Sequence, residues 1–191
     1  MHIKVDNSRV KALIAHPAVN MITFTGSTEA GRIVAKQAAE YLKPSVLELG
    51  GSDPYLVFED AELTNAIEKC AQSRWLNSGQ SCIAAKRIIV VDAIFDEFMT
   101  QFLTFARQYS FTNPSNRTTE GYFVGPMARL DLRDQLAKQV SDSIASGAQC
   151  ELGGYIPEAK GAYYPVTVLS NVSPGMPAFD QELFGPVAAI I

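Results

Sequence analysis

The chain has 191 residues, a formal net charge of −4, 47% hydrophobic residues and 19% charged residues. This composition is typical of a globular protein and excludes a largely disordered chain. The acidic balance, without any run of arginine or lysine, argues against a nucleic-acid partner. No apolar run reaches the roughly 18 residues that a membrane helix needs, so no membrane partner is expected either.

Short apolar runs alternate with segments of helical periodicity along the chain. The predicted strands are, in chain order, 20–25, 46–49, 55–58, 88–91, 166–169 and 187–191. The predicted helices are 29–42, 63–75, 94–109 and 129–146, and 112–119 is predicted to be a polar loop. This alternation predicts an α/β fold with a mostly parallel sheet flanked by helices. Because the chain begins abruptly and ends within a strand, we expect the fold to be truncated at both ends.

The cysteines and histidines restrict the chemistry. The three cysteines, Cys70, Cys82 and Cys150, are scattered and odd in number, which favours a reduced cytoplasmic protein over a disulfide framework. Cys70 and Cys150 fit the pattern of small core hydrophobes. The two histidines, His2 and His16, have no ligand spacing, so we predict no metal site and no cysteine–histidine hydrolase.

The first candidate site is the segment 24–32 (FTGSTEAGR), which follows a predicted strand and opens a predicted helix. Gly26 would let a ligand approach the backbone closely. Ser27 or Thr28 can cap the helix, whose N-terminus favours an anion. Taken alone, the pattern is more typical of an ordinary capped helix, because it is neither a P-loop nor GxGxxG.

Two further residues could carry a reaction. Glu48 lies in an apolar strand (LELGG), where burial would favour its protonated form and make it a general base near neutral pH. On its own, a solvent-facing glutamate at the end of a strand is the favoured interpretation. Cys82 follows a glycine-containing turn (NSGQS), which can expose a thiol, favour its thiolate and aim backbone N–H groups at an oxyanion. The alternative for Cys82 is another core cysteine.

Four segments occur together in the order of one family. They are FTGSTEAGR, then LELGG with Glu48 22 residues after Gly26, then GQSC with Cys82 34 residues after Glu48, and then ELFGPV at 182–187. In this order and spacing, the chain resembles the aldehyde dehydrogenase superfamily over nearly its whole length.

The resemblance implies a mechanism for the enzyme. Cys82 would add to the aldehyde as a thiolate, and the resulting thiohemiacetal would pass hydride to the nicotinamide of NAD or NADP. Glu48 would then activate the water that hydrolyses the thioester to a carboxylic acid. The backbone N–H of Cys82 would help to hold the oxyanion.

The resemblance also implies where the cofactor and the domains lie. Gly26 and Ser27 would lie near the pyrophosphate, Leu49 near the nicotinamide, and Glu182 at the nicotinamide ribose with Phe184 packed against that end of the cofactor. Residues 1–49 would be the C-terminal remnant of the dinucleotide-binding domain. Residues 50–191 would be the catalytic domain, incomplete at its C-terminus.

Some of the family's parts have no match in the sequence. The asparagine side chain of the oxyanion hole and the lysine that binds the adenosine ribose are expected upstream, and Asn77 does not match that asparagine. The residues that distinguish NAD from NADP are expected there as well. Because these residues are missing, we expect the 191-residue chain alone to be inactive. The parent enzyme is expected to be a homo-oligomer.

Within the family, the segments GGSDP (50–54) and MPAFD (176–180) resemble the succinate-semialdehyde dehydrogenase branch. Some members of that branch place an arginine before the Asn-Ser/Thr-Gly-Gln stretch, to grip the substrate carboxylate. Here that position is Leu76, and Arg74 would lie on a different helical face. A different aliphatic aldehyde therefore remains open as the substrate.

Three other functions remain open. The chain could be a non-catalytic folded remnant or an assembly module. A reductase acting on acyl phosphates would account for Cys82 but not for Glu48. The branch that transfers its acyl group to coenzyme A commonly lacks this base, so Glu48 favours hydrolysis to the free acid.

Overall fold

The computed structural model describes residues 4–112 and 121–191. The chain divides into two compact units, Met1–Gly50 and Gly51–Ile191. This division lies one residue beyond the boundary expected from the sequence. The polar loop predicted at 112–119 lies, apart from Thr112, outside the described residues.

The first unit is built around a parallel strand pair. Its elements are α1 (Val10–Ala15), β1 (Ile22–Thr25), α2 (Thr28–Glu40) and β2 (Ser45–Glu48). β1 and β2 pair in parallel, so α2 is the crossover helix that such a connection requires. The small core consists of Ile14 from α1 with Val34 and Ala38 from α2. Helix α1 was not predicted because a six-residue helix with one buried residue shows no periodicity.

The second unit contains a mostly parallel sheet. Its elements are β3 (Pro54–Val57), α3 (Leu63–Trp75), β4 (Arg87–Val90), α4 (Phe95–Ala106), β5 (Tyr109–Phe111), β6 (Tyr122–Val124), α5 (Leu130–Ala145), β7 (Gln149–Leu152), β8 (Thr167–Ser170), α6 (Pro177–Asp180) and β9 (Val187–Ile190). The main sheet has the order β3-β4-β9-β8-β7, in which only β7 runs antiparallel to its neighbour. β5 and β6 form a separate parallel pair. The predicted α/β fold with a mostly parallel sheet is confirmed.

The central strand β9 shows why both faces of the sheet carry helices. Ala188 and Ile190 belong to the core formed with α3 and α4, whereas Val187 and Ala189 belong to the core formed with α5. All four residues are completely buried. An uninterrupted apolar strand of this kind is typical of a parallel sheet that is covered on both faces.

Two expectations for the second unit are wrong. The helix predicted to reach residue 109 ends at Ala106, because Tyr109 leaves the helix and packs its ring against Trp75 and Tyr122, with ring centroids 4.6 and 4.9 Å apart. Cys150 is exposed and not in the core, because β7 is an edge strand of the sheet. The strand β6 and the helix α6 were missed because they have only three and four residues.

No helix within residues 4–112 or 121–191 combines the length and the apolar character needed to cross a bilayer.

Candidate functional site

The turn that carries Cys82 begins where α3 ends. Asn77, Ser78 and Gly79 follow in the left-handed region, with φ of 52°, 55° and 71°, a conformation that serine rarely adopts. The hydroxyl of Ser78 donates to the carbonyl of Gly125 at 3.0 Å, which helps to hold it there. Cys82 follows on an exposed turn. The Cys82 thiol is therefore exposed, as its glycine-containing turn allowed. The backbone shortly before it is left-handed at three consecutive residues.

Gly79 touches a second predicted motif. A Cβ atom at this position would lie 2.1 Å from the carbonyl oxygen of Gly185, a separation that no side chain permits. The backbone before Cys82 therefore lies directly against the segment 182–187. Two of the four motifs that carried the resemblance are thus in contact within the second unit.

Arg74 links the same two segments. Its side chain is 0% exposed, and its Nη2 donates to the carbonyls of Gly79 at 2.6 Å, Gly185 at 2.8 Å and Leu183 at 3.2 Å. Burial lowers the pKa of the guanidinium to about 10, while the charge of Glu182 acts in the opposite direction. Arg74 is therefore committed to backbone carbonyls and cannot grip a substrate.

Lys86 is a second buried cation in this region. Its side chain is 1% exposed, and its Nζ donates to the carbonyl oxygen of Cys82 at 2.6 Å. The same Nζ lies 3.0 Å from Oε1 of Glu182, whose side chain is 25% exposed. Lys86 was not predicted as a site residue. The available signal was a charged residue placed between two alanines, Ala84 and Ala85, and the strand β4.

Glu182 and Phe184 could hold one end of a cofactor. The carboxylate of Glu182 is partly exposed, and two residues later Phe184 exposes 38% of its surface. A carboxylate that accepts hydrogen bonds beside an exposed aromatic ring fits a ribose attached to a flat heterocycle. Across the described parts of the chain, no three or more histidine, cysteine or acidic side chains gather into a group that could hold a metal ion.

In the first unit, Ser27 and Gly26 have structural roles. The hydroxyl of Ser27 accepts from the backbone N–H of Ala30 at 3.2 Å and so caps α2. A Cβ at Gly26 would lie 2.6 Å from the ring of Phe24. The sequence suggested that Gly26 lets a ligand approach the backbone, but close packing of the Phe24 ring also explains a glycine at this position.

Glu48 and Leu49 follow at the end of β2. The backbone N–H of Gly26 donates to the carbonyl of Glu48 at 3.0 Å, which joins the ends of β1 and β2. The side chain of Glu48 is exposed, as in the solvent-facing interpretation, and Leu49 is half-buried against Gly31 of α2. Gly26, Glu48 and Leu49 therefore lie at one end of the strand pair, where helix α2 also begins.

A sequence model described as the aldehyde dehydrogenase family matches residues 4–191. The chain is 44% identical over 188 residues to a succinate semialdehyde dehydrogenase [NAD(P)+] of Escherichia coli, covering 98% of this chain and 40% of that protein. It is 41% identical over 186 residues to a succinate-semialdehyde dehydrogenase [NADP(+)] of Mycobacterium avium, covering 97% and 39%.

A solved structure shows the same fold. The lactaldehyde dehydrogenase of Escherichia coli superposes with a TM-score of 0.90 at 34% identity, covering 95% of this chain and 38% of that one. The chain thus spans about 40% of the length of the curated relatives it matches.

Proposed function

Because the chain belongs to the aldehyde dehydrogenase family, we propose that it supplies the nucleophile and part of the cofactor site of an enzyme that oxidises an aldehyde with NAD(P)+. The observation that carries the proposal is the exposed Cys82, on a turn whose backbone is tied through Arg74 and Lys86 to the segment that holds Glu182. The proposed substrate is succinate semialdehyde, since two relatives at 41% and 44% identity are named for it.

The proposed chemistry assigns a role to each reacting group. The thiolate of Cys82 forms a C–S bond to the aldehyde carbon, and the backbone N–H of Cys82 donates to the oxyanion that develops. When bound, NAD(P)+ would accept the hydride that leaves this carbon, and loss of the hydride turns the Cys82 adduct into a thioester. Glu48 takes a proton from the water that attacks the thioester, which releases the acid and returns the Cys82 thiol.

The other proposed roles follow the family pattern. Glu182 accepts from the nicotinamide ribose and Phe184 packs against that end of the cofactor, while Gly26 and Ser27 lie at the pyrophosphate and Leu49 at the nicotinamide. Residues 1–49 would then belong to the dinucleotide-binding domain and residues 50–191 to the catalytic domain. We further propose a cytoplasmic homo-oligomer as the parent enzyme.

A second candidate substrate is an uncharged aliphatic aldehyde. Leu76 is 70% exposed at the position where some members of the branch carry a carboxylate-binding arginine, and Arg74 is buried on backbone carbonyls. Steady-state kinetics of the parent enzyme would separate the candidates. A kcat/KM for succinate semialdehyde no higher than for butanal would favour the uncharged substrate.

Thiol labelling of the 191-residue chain tests the nucleophile. We expect iodoacetamide to modify Cys82 about tenfold faster than Cys150 at neutral pH, because both thiols are exposed but partial burial raises the pKa of Cys150. The matched control is Cys82→Ser, in which the fast phase disappears. Equal rates at the two thiols would support a non-catalytic remnant.

Turnover measurements test the remaining parts. We expect no NAD(P)H formation by the purified chain alone, and clear turnover would contradict that expectation. In the parent enzyme, Glu48→Gln should slow release of the acid while the first hydride burst remains. Loss of the burst would remove Glu48 from the role of base.

A further inference from the structure

We propose that Lys86 is a positioning residue that couples the Cys82 turn to the Glu182 carboxylate. This inference rests on the proposed function, in which Cys82 is the nucleophile and Glu182 holds the cofactor ribose. Lys86 reaches neither substrate nor cofactor in the proposal. It acts through two groups that do.

A single nitrogen atom makes both contacts. The Nζ of Lys86 lies 2.6 Å from the carbonyl oxygen of Cys82 and 3.0 Å from Oε1 of Glu182. A carbonyl that is held in place fixes the rotation about the Cα–C bond of its residue, so the direction of the Cys82 side chain is restricted. A carboxylate held through one oxygen keeps its second oxygen available as an acceptor.

Burial makes this link stiff. Lys86 is 1% exposed, so water cannot replace either of its two contacts at low cost. A buried ammonium is expensive to desolvate and is retained only where its partners compensate. Here the compensation comes from one carbonyl and one partly exposed carboxylate. A change at Glu182 therefore alters the balance that holds the Cys82 carbonyl.

The neighbouring cation does not duplicate this role. Arg74 donates to Gly79, Leu183 and Gly185, which joins backbone to backbone. Lys86 instead joins the backbone of the nucleophile to the side chain proposed to hold the cofactor. Arg74 also interacts with the charge of Glu182, but it meets the turn at Gly79, whereas Lys86 contacts the carbonyl of Cys82 itself.

The three cysteines provide the measurement on the chain as it stands. Labelling of Cys82 reports the proposed coupling, and labelling of the exposed Cys150 serves as the reference. Cys70 is 3% exposed, so its rapid labelling would reveal unfolding. Site-resolved alkylation rates would be measured at neutral pH for the unsubstituted chain, Lys86→Met, Glu182→Gln and the double variant. Lys138→Met is the matched control, because Lys138 is an exposed lysine paired with Asp142.

We expect the effects of Lys86→Met and Glu182→Gln on the Cys82 alkylation rate to be non-additive. Lys86→Met changes the alkylation rate of Cys82 about threefold or more, because the Cys82 carbonyl loses the contact that holds it. Glu182→Gln changes the Cys82 rate about twofold or more in the unsubstituted background and leaves it unchanged in the Lys86→Met background. The alkylation rate of Cys150 is the same in all variants, and Lys138→Met changes the rate of neither Cys82 nor Cys150.

Two results would overturn the proposal. One is a Glu182→Gln effect of equal size with and without Lys86. The other is a Lys86→Met variant that is folded, as slow labelling of Cys70 would show, and whose Cys82 is alkylated at an unchanged rate. If Lys86→Met unfolds the chain, Glu182→Gln alone decides, and an unchanged ratio of Cys82 to Cys150 rates rejects the coupling.

Failure of the proposed function looks different. In that case Cys82 reacts no faster than Cys150 in the unsubstituted chain, whatever the response to Glu182→Gln. The proposed function is tested by comparing Cys82 with Cys150 within the unsubstituted chain, whereas the coupling is tested by comparing variants. The two failures can therefore be told apart.

Discussion

The two regions that carry candidate residues are built in different ways. Around Cys82, a buried arginine, a buried lysine and a backbone contact at Gly79 tie the turn to the segment 182–187. Around Glu48, the candidate residues lie at one end of a two-stranded sheet whose core has three buried residues, and the Glu48 side chain is exposed. The Cys82 region is held by contacts between distant segments of its own unit, whereas the Glu48 region is held mainly by its local strand and helix.

This difference indicates where the chain will tolerate change. Substitutions near Cys82 should affect the whole second unit, because the same atoms that shape the turn also join distant parts of the chain. Substitutions near Ser27 should have small and local effects.

The largest effect is expected for Gly79→Ala. The added Cβ meets the Gly185 carbonyl oxygen at 2.1 Å, and the positive φ of Gly79 adds strain, so we expect a loss of about 2–4 kcal/mol in the unfolding free energy of the second unit. Urea unfolding followed by the fluorescence of Trp75, the single tryptophan, measures it.

Gly175→Ala is the matched control for that experiment. Gly175 also has a positive φ, of 95°, but no atom lies within 4 Å of an added Cβ. It should cost about 1 kcal/mol, which is the backbone term alone. Equal costs at the two positions would show that the contact between Gly79 and Gly185 contributes nothing to stability.

An intermediate effect is expected from alkaline pH. Burial raises the pKa of the Cys70 thiol from 9.0 to about 11. Above pH 9.0 the unfolded chain loses this proton while the folded unit keeps it, so the contribution of Cys70 to stability falls as the pH rises from 9.0 to about 11. At about 1.4 kcal/mol per pH unit, the loss is about 2–3 kcal/mol.

Cys70→Ala isolates this contribution. The variant should lose less stability than the unsubstituted chain over the same pH interval, although it begins lower because of the cavity at neutral pH. Hydrogen exchange should locate the additional opening in α3 and α4 of the second unit. Identical pH dependence of the two proteins would mean that Cys70 ionises in the folded state as it does in the unfolded state.

The smallest effect is expected for Ser27→Ala. Loss of the cap on α2 should cost about 1 kcal/mol and should raise amide exchange only in the first unit. Thr28→Ala removes a hydroxyl from the adjacent exposed residue and serves as the control. If exchange also increases around Cys82, the contrast between the two regions is not valid.

Local pattern predicted much of the fold. The helix at 63–75 was predicted with the bounds that α3 has, because its apolar face repeats with helical spacing. The strand at 187–191 was predicted because an apolar run that is buried on both faces needs no alternation. Tyr109 was placed in the wrong element because its partners, Trp75 and Tyr122, are distant in sequence.

The candidate site was predicted less completely. Cys82 and the segment 182–187 were identified as motifs, but nothing local indicated that Gly79 and Gly185 touch. Arg74 and Lys86 were not recognised as links because a charged side chain in sequence gives no sign of which carbonyls it will meet. The contact between Arg74 and the carbonyl of Leu183, for example, joins residues that are 109 positions apart in sequence.

The central position of β9 has a consequence for synthesis of the chain. A ribosome produces β3, β4, β7 and β8 first, yet β4 and β8 are joined only through β9, the last described strand to emerge. The carbonyls that Arg74 binds at Leu183 and Gly185 emerge almost as late. The nascent second unit therefore exposes an unfinished apolar sheet until β9 has left the ribosome, and during that interval the sheet is prone to aggregation.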